Sequence, residues 1–94
     1  MPKAAEKMTL SFPNPSRRYD AVGRRVCFWG YDRAMEVPFF LEESVLFRLD
    51  PTTKNLEGAM LATFDASRDR INAVAKRVHT VQKRSFHILV AGDF

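Results

Sequence analysis

The stretch from Leu56 to Arg84 constrains the fold of this chain more than any other. Apolar side chains recur in its second half at Ile71, Val74, Val78 and Val81, with Ala75 beside them, and in its first half at Leu56, Met60 and Phe64. Steps of three and four put such residues on one side of an α-helix. Asp65-Ala66-Ser67 interrupts the series with residues that favour caps, so the spacing predicts a kink or two helices, the second capped by Asp65 or Ser67. A stripe of this length has to lie on something. Basic residues fall elsewhere on the same cylinder, with Arg70, Arg77 and Arg84 along one flank and Lys76 and Lys83 near the solvent pole.

The cover for the stripe is read from segments with the period of a strand. Met8 to Phe12 alternates Met8, Leu10 and Phe12 with polar residues, and Pro13-Asn14-Pro15-Ser16 ends it. Arg17 to Gly23 reads as a polar connector. Arg24 to Tyr31, rich in β-branched and aromatic residues, and Ala34 to Leu41 read as a hairpin turning at Tyr31-Asp32-Arg33. Pro38 removes a backbone donor, which predicts an edge position or a bulge. Glu42 to Leu49 is a short helix with an acidic first turn and an apolar side of Val45, Leu46 and Leu49, stopped by Asp50-Pro51. Asn55 is a candidate N-cap for the long helix, and Ser85 to Ala91 closes the chain as a strand.

These elements predict an α+β domain: a small antiparallel sheet of three to four strands in the order β-β-β-α-α-β, with helices packed on one face. If Val26, Phe28, Val37, Phe39, Leu41, Phe86, Ile88 and Val90 face the helices, alternation sends Cys27, Trp29, Tyr31, Phe40, His87 and Leu89 to the other side. That side is unusually apolar for one left to water.

Composition sets the outer limits. Ninety-four residues, 46% hydrophobic with eight Phe and one Trp, make one packed domain over residues 8–94, preceded by a frayed tail at 1–7. No apolar run approaches the ~20 residues that span a bilayer, and MPKAAEKM lacks the apolar core of a leader, so the expected compartment is the cytoplasm, without membrane contact. The single cysteine, Cys27, excludes an internal disulfide; with His79 and His87 it makes three soft ligands at no paired spacing, so no metal and no cofactor is expected. Charge is segregated along the chain. Residues 1–34 hold seven Lys/Arg and three Asp/Glu (+4), residues 35–65 two and six (−4), and residues 66–94 six and two (+4). This pattern suits either pairing between segments or a directed surface field.

Four stretches together carry a resemblance: SFPNPSRRYD, VCFWGYDRAMEVPFF, LATFDASRDRI and SFHILVAGDF. With the aromatic strand and the Phe64, Arg68, Ile71 grouping, they are similar to a small bacterial family known as domain of unknown function 1488, over Thr9 to Phe94. The resemblance implies a compact bacterial α+β domain without assigned activity or catalytic residues.

Two surfaces are candidate sites. The apolar sheet side, with Trp29, Tyr31, Phe40 and Leu89, fits a protein interface, the partner being a second copy or another protein. The basic patch of Arg70, Lys76, Arg77, Lys83 and Arg84 fits weak, sequence-tolerant nucleic-acid binding, the less favoured reading. No catalytic site is expected: Ser44, Ser67, Cys27, Glu42, Glu43 and Asp65 form no recognisable motif, the two histidines lie on different elements, and the four glycines are too scattered for a phosphate loop.

Overall fold

The computed structural model describes residues 10–94. The expected tail at 1–7, and the start of the first strand at Met8 and Thr9, lie outside the described residues. The elements in chain order are β1 (Leu10–Ser11), β2 (Arg17–Asp20), β3 (Arg25–Asp32), β4 (Met35–Glu42), α1 (Glu43–Leu49), α2 (Glu57–Ala66), α3 (Arg68–Val81) and β5 (His87–Leu89), followed by a 3-10 turn at Ala91–Asp93.

The long hairpin β3–β4 is the spine. Its register runs unbroken from Arg25↔Glu42 to Asp32↔Met35, so Pro38 sits directly opposite Trp29 without a bulge. Both β1 and β2 pair antiparallel with β3. β5 pairs with the far side of β4 in parallel, and the sheet is therefore mixed rather than wholly antiparallel. The parallel pairing follows from the connection: three helices carry the chain back across one face before β5 begins. β4 is an inner strand. β5 spans only Phe39 to Leu41, however, so at Pro38 the strand has β3 alone as a neighbour and the missing donor costs little.

β2 replaces part of the expected connector. Its alternation is polar and therefore gives no hydrophobic signal. Arg17 and Tyr19 point to the helix side, where Arg17 pairs with Asp65 at 2.8 Å and the Tyr19 hydroxyl donates to Glu43 at 2.9 Å; Arg18 and Asp20 point outward. Glu43 is buried at the start of α1, where its other oxygen accepts the Arg24 guanidinium. A buried carboxylate is tolerable because both oxygens are occupied.

The predicted break in the long helix falls at Ser67, which joins α2 to α3 without a side-chain cap. Arg68 braces the joint. It lies over the rings of Phe64 and Phe28 and donates to the Pro15 carbonyl at 3.0 Å. The expected cap Asn55 does not hold at the start of α2: the helix begins after Leu56, which is exposed instead of opening the apolar stripe.

The core lies between the sheet and the three helices. Val26, Phe28, Val37, Phe39 and Leu41 from the hairpin meet Val45 and Leu46 of α1, Met60 and Phe64 of α2, and Ile71 and Ala75 of α3. Phe28 is its centre: it stacks on Phe39 and takes the edge of Phe64, each at 5.2 Å between ring centroids. Gly30 faces the same side because an added Cβ would sit 2.9 Å from the Phe12 ring, whose place it would take.

One strand is turned over relative to expectation. Residues directly opposite in a sheet share a face, and β5 pairs His87 with Phe39 and Leu89 with Leu41, both of which point to the core. His87 and Leu89 are therefore buried, while Phe86, Ile88 and Val90, expected beneath the helices, are 50%, 45% and 37% exposed. The physical reason is a polar partner that hydropathy does not register.

Candidate functional site: the open side of the sheet and the edge of β5

That partner is His79 on α3. Its Nδ1 lies 2.8 Å from Nε2 of His87, its Nε2 lies 2.9 Å from a carboxylate oxygen of Asp32, and the His87 ring stacks on Phe39. A carboxylate only accepts, so His79 donates to Asp32 through Nε2. One proton then fits between the two imidazoles, and the second ring completes a relay of Asp32, His79 and His87 through the interior. Three elements bring it together: Asp32 ends β3, His79 lies in the last turns of α3 and His87 opens β5. Sequence spacing gave no signal for it, because Asp32 is distant along the chain and neither histidine sits on a recognised motif. Cys27 is on the opposite side of the sheet, so the three soft ligands do not converge.

Burial pushes the His87 imidazole below its ordinary value, and the neighbouring His79 and the positive charge of Arg84 add to this. The unfolded chain therefore binds a proton at this position more readily than the folded one. The stability that His87 contributes is complete above its ordinary pKa of about 6.5 and is lost as pH falls toward the folded value. The urea midpoint is expected to drop between pH 7.5 and 5.5, before the carboxylates titrate, and His87→Phe is expected to flatten that slope. A wild-type midpoint constant across this window would contradict the assignment.

On the other side of the sheet no described helix packs. Cys27, Phe40 and Ile88 stand in one row across three strands, with Trp29 opposite Pro38 in the next. Phe40 is the middle of the patch. The edge of Phe86 meets its ring at 6.1 Å and the Arg25 guanidinium lies 4.2 Å above it. Of the residues expected on this surface, Trp29, Tyr31 and Phe40 are here and half-buried, whereas Leu89 belongs to the core. Phe86, Ile88 and Val90 take its place. Cys27 faces this way but is sealed beneath its neighbours, and burial raises its thiol pKa, so it is poorly reactive.

The apolar row continues round the outer edge of β5 into a groove of about 570 Å3, whose other wall is the end of α3. Val78, Val81, Phe86 and Ile88 line it, with Arg77 and Arg84 at its margins. The basic residues of the expected patch have separate surroundings. Arg70 reaches over the Phe94 ring at 6.0 Å, Arg77 donates to the Asp93 carbonyl, Lys83 lies 3.7 Å from Asp32, and Lys76 is half-buried. Arg84 is exposed. Of the five expected to form a basic patch, only Arg77 and Arg84 share a surface feature.

The model of a family described as protein of unknown function, DUF1488, matches residues 10–89, from the first described strand to the end of β5. The chain belongs to the DUF1488 family. The match covers both the relay and most of the open sheet side, so these features lie within the DUF1488 unit and not in an appendage to it. No curated protein and no solved structure matches the chain. Among the described residues of this DUF1488 member, no helix is long and apolar enough to cross a membrane.

Proposed function

We propose that this chain is a non-catalytic protein-binding domain and that the first occupant of its open sheet side is a second copy of itself. The observation that carries this is the apolar surface of Trp29, Pro38, Phe40, Phe86 and Ile88 on the side of the sheet opposite the three helices, half-buried at its centre, exposed along β5 and covered by no helix among the described residues. Apolar surface of this kind gains free energy when it leaves water, and aromatic residues held on a rigid sheet lose little entropy on doing so.

Two further points support a binding role. The histidine relay has the polarity of a general-base chain, yet among the described residues no hydroxyl or thiol is hydrogen-bonded to either imidazole, and Cys27 lies across the sheet. An imidazole pair tied to a carboxylate, with no side-chain nucleophile in reach among the described residues, is better read as a structural tie. The basic helix expected over residues 68–84 ends at Val81, leaving Lys83 and Arg84 beyond it, and Arg70, Arg77 and Lys83 each contact a group of this chain, which weakens the alternative nucleic-acid reading. The lone buried thiol and the bacterial family resemblance favour a bacterial cytoplasm as the setting.

Sedimentation equilibrium from low to several hundred micromolar tests the proposal. The weight-average mass is expected to rise from 10.8 kDa toward twice that value. Phe40→Glu, with its fold checked by circular dichroism, is expected to weaken association at least tenfold. A mass of 10.8 kDa at every concentration would end the self-association reading.

A further inference from the structure

The edge of β5 has properties that specify how a second copy would sit. β5 is the last strand of the sheet, and only its β4 side is paired among the described residues. Alternate N–H and C=O groups of such a strand point away from the sheet and are free to pair. The free stretch is short and bounded. Just past Leu89 the chain closes on itself: the Val90 N–H donates to the Asp93 carboxylate at 2.9 Å, and the Val90 carbonyl accepts the Asp93 N–H. Before His87, residues 85–86 are not paired as strand. The open edge is therefore His87 to Leu89, with Ile88 at its middle.

We propose that two copies pair antiparallel through β5 about a twofold axis at Ile88, joining their sheets into one continuous sheet. This rests on the self-association reading above for the presence of a second copy, and seats that copy at the strand edge, where Phe86 and Ile88 meet the seam and Trp29 and Phe40 lie outside it. Ile88 then stands opposite the partner's Ile88, and Phe86 opposite the partner's Val90. Those residues are the exposed row of β5, so the apolar strip is its own complement and runs unbroken across the seam. On the inner side His87 stands opposite the partner's Leu89. Beyond the paired residues, Lys83 and Arg84 of one copy lie beside the Gly92–Asp93 turn of the other, cation against carboxylate. The groove beside β5 gives the incoming strand room, and Val81, 76% exposed in the last turn of α3, faces the seam. A row of identical charges on this edge would forbid such pairing; the row here has none.

The test uses the full chain with Cys27→Ser and single new cysteines, treated with a short bis-maleimide below and above the association midpoint and read on denaturing gels. Ile88→Cys is expected to give a covalent dimer with itself. Phe86→Cys mixed with Val90→Cys is expected to cross-link at least fivefold more than either alone. Thr80→Cys, exposed on α3, is expected to remain monomeric. The same proteins are run unmodified by sedimentation. Dimers that sediment as such but cross-link at neither β5 pair would overturn the edge pairing and leave self-association through the sheet side standing. Monomers throughout would overturn both. An edge used by an acidic segment of another protein would appear as this last outcome.

Discussion

Replacing Phe28 with alanine is expected to destabilise the domain by about 3–5 kcal/mol, the range for truncating a fully buried phenylalanine. The ring is completely buried and touches every layer of the molecule. It lies on Phe39 of the same sheet, under Phe64 of α2, near Phe12 at 6.0 Å, and below the Arg68 guanidinium that braces the α2–α3 joint. Losing it removes the apolar area of the ring and also leaves a hole that β3 cannot close, because that strand is held by β1 and β2 on one side and β4 on the other. For a domain whose total stability is of the order of 5–15 kcal/mol, this is a large share, so the variant is expected to be partly unfolded at physiological temperature. Urea denaturation followed by Trp29 fluorescence gives the number. A loss below about 1 kcal/mol would mean that the aromatic cluster is not the centre of the core.

The parts of this fold that could be read from the residues are those where hydropathy and geometry agree. The hairpin β3–β4, the short helix with its acidic first turn and the break near Ser67 all follow from apolar spacing and from the proline and polar residues that interrupt it. β2 was hidden because its inward residues, Arg17 and Tyr19, are satisfied by Asp65 and Glu43 on the helices, partners that become neighbours only after folding. These contacts also show in the side chains' acidities. The Arg17 guanidinium holds the Asp65 carboxyl below its usual range, and the hydrogen bond to Glu43 raises the Tyr19 phenol.

The inversion of β5 has the same origin. Period-two alternation places Phe86, Ile88 and Val90 on one side and His87 and Leu89 on the other, but does not say which side is inside. Apolar count favours the first set. The structure chooses the second because His79 can satisfy His87 in the interior, and a hydrogen-bonded imidazole stacked on Phe39 is no longer a costly group to bury. Three apolar side chains are displaced outward as a result. The candidate site is thus a consequence of a polar contact in the core. It is half legible: alternation puts Trp29, Tyr31 and Phe40 on the open side, but hydropathy draws its most exposed members, Phe86, Ile88 and Val90, to the interior.

The apolar surface exists only if β5 turns His87 and Leu89 inward, and a pair of single substitutions measures which way the strand faces. Leu89→Ala and Ile88→Ala remove similar side chains from neighbouring positions of one strand, and each is unfolded in urea at a concentration dilute enough for the monomer to prevail. The completely buried Leu89 is expected to cost about 2–5 kcal/mol, and the 45% exposed Ile88 about 1 kcal/mol or less. If Ile88→Ala proves the more damaging of the two, β5 faces the other way, the apolar row belongs to the core, and the proposed interface does not exist.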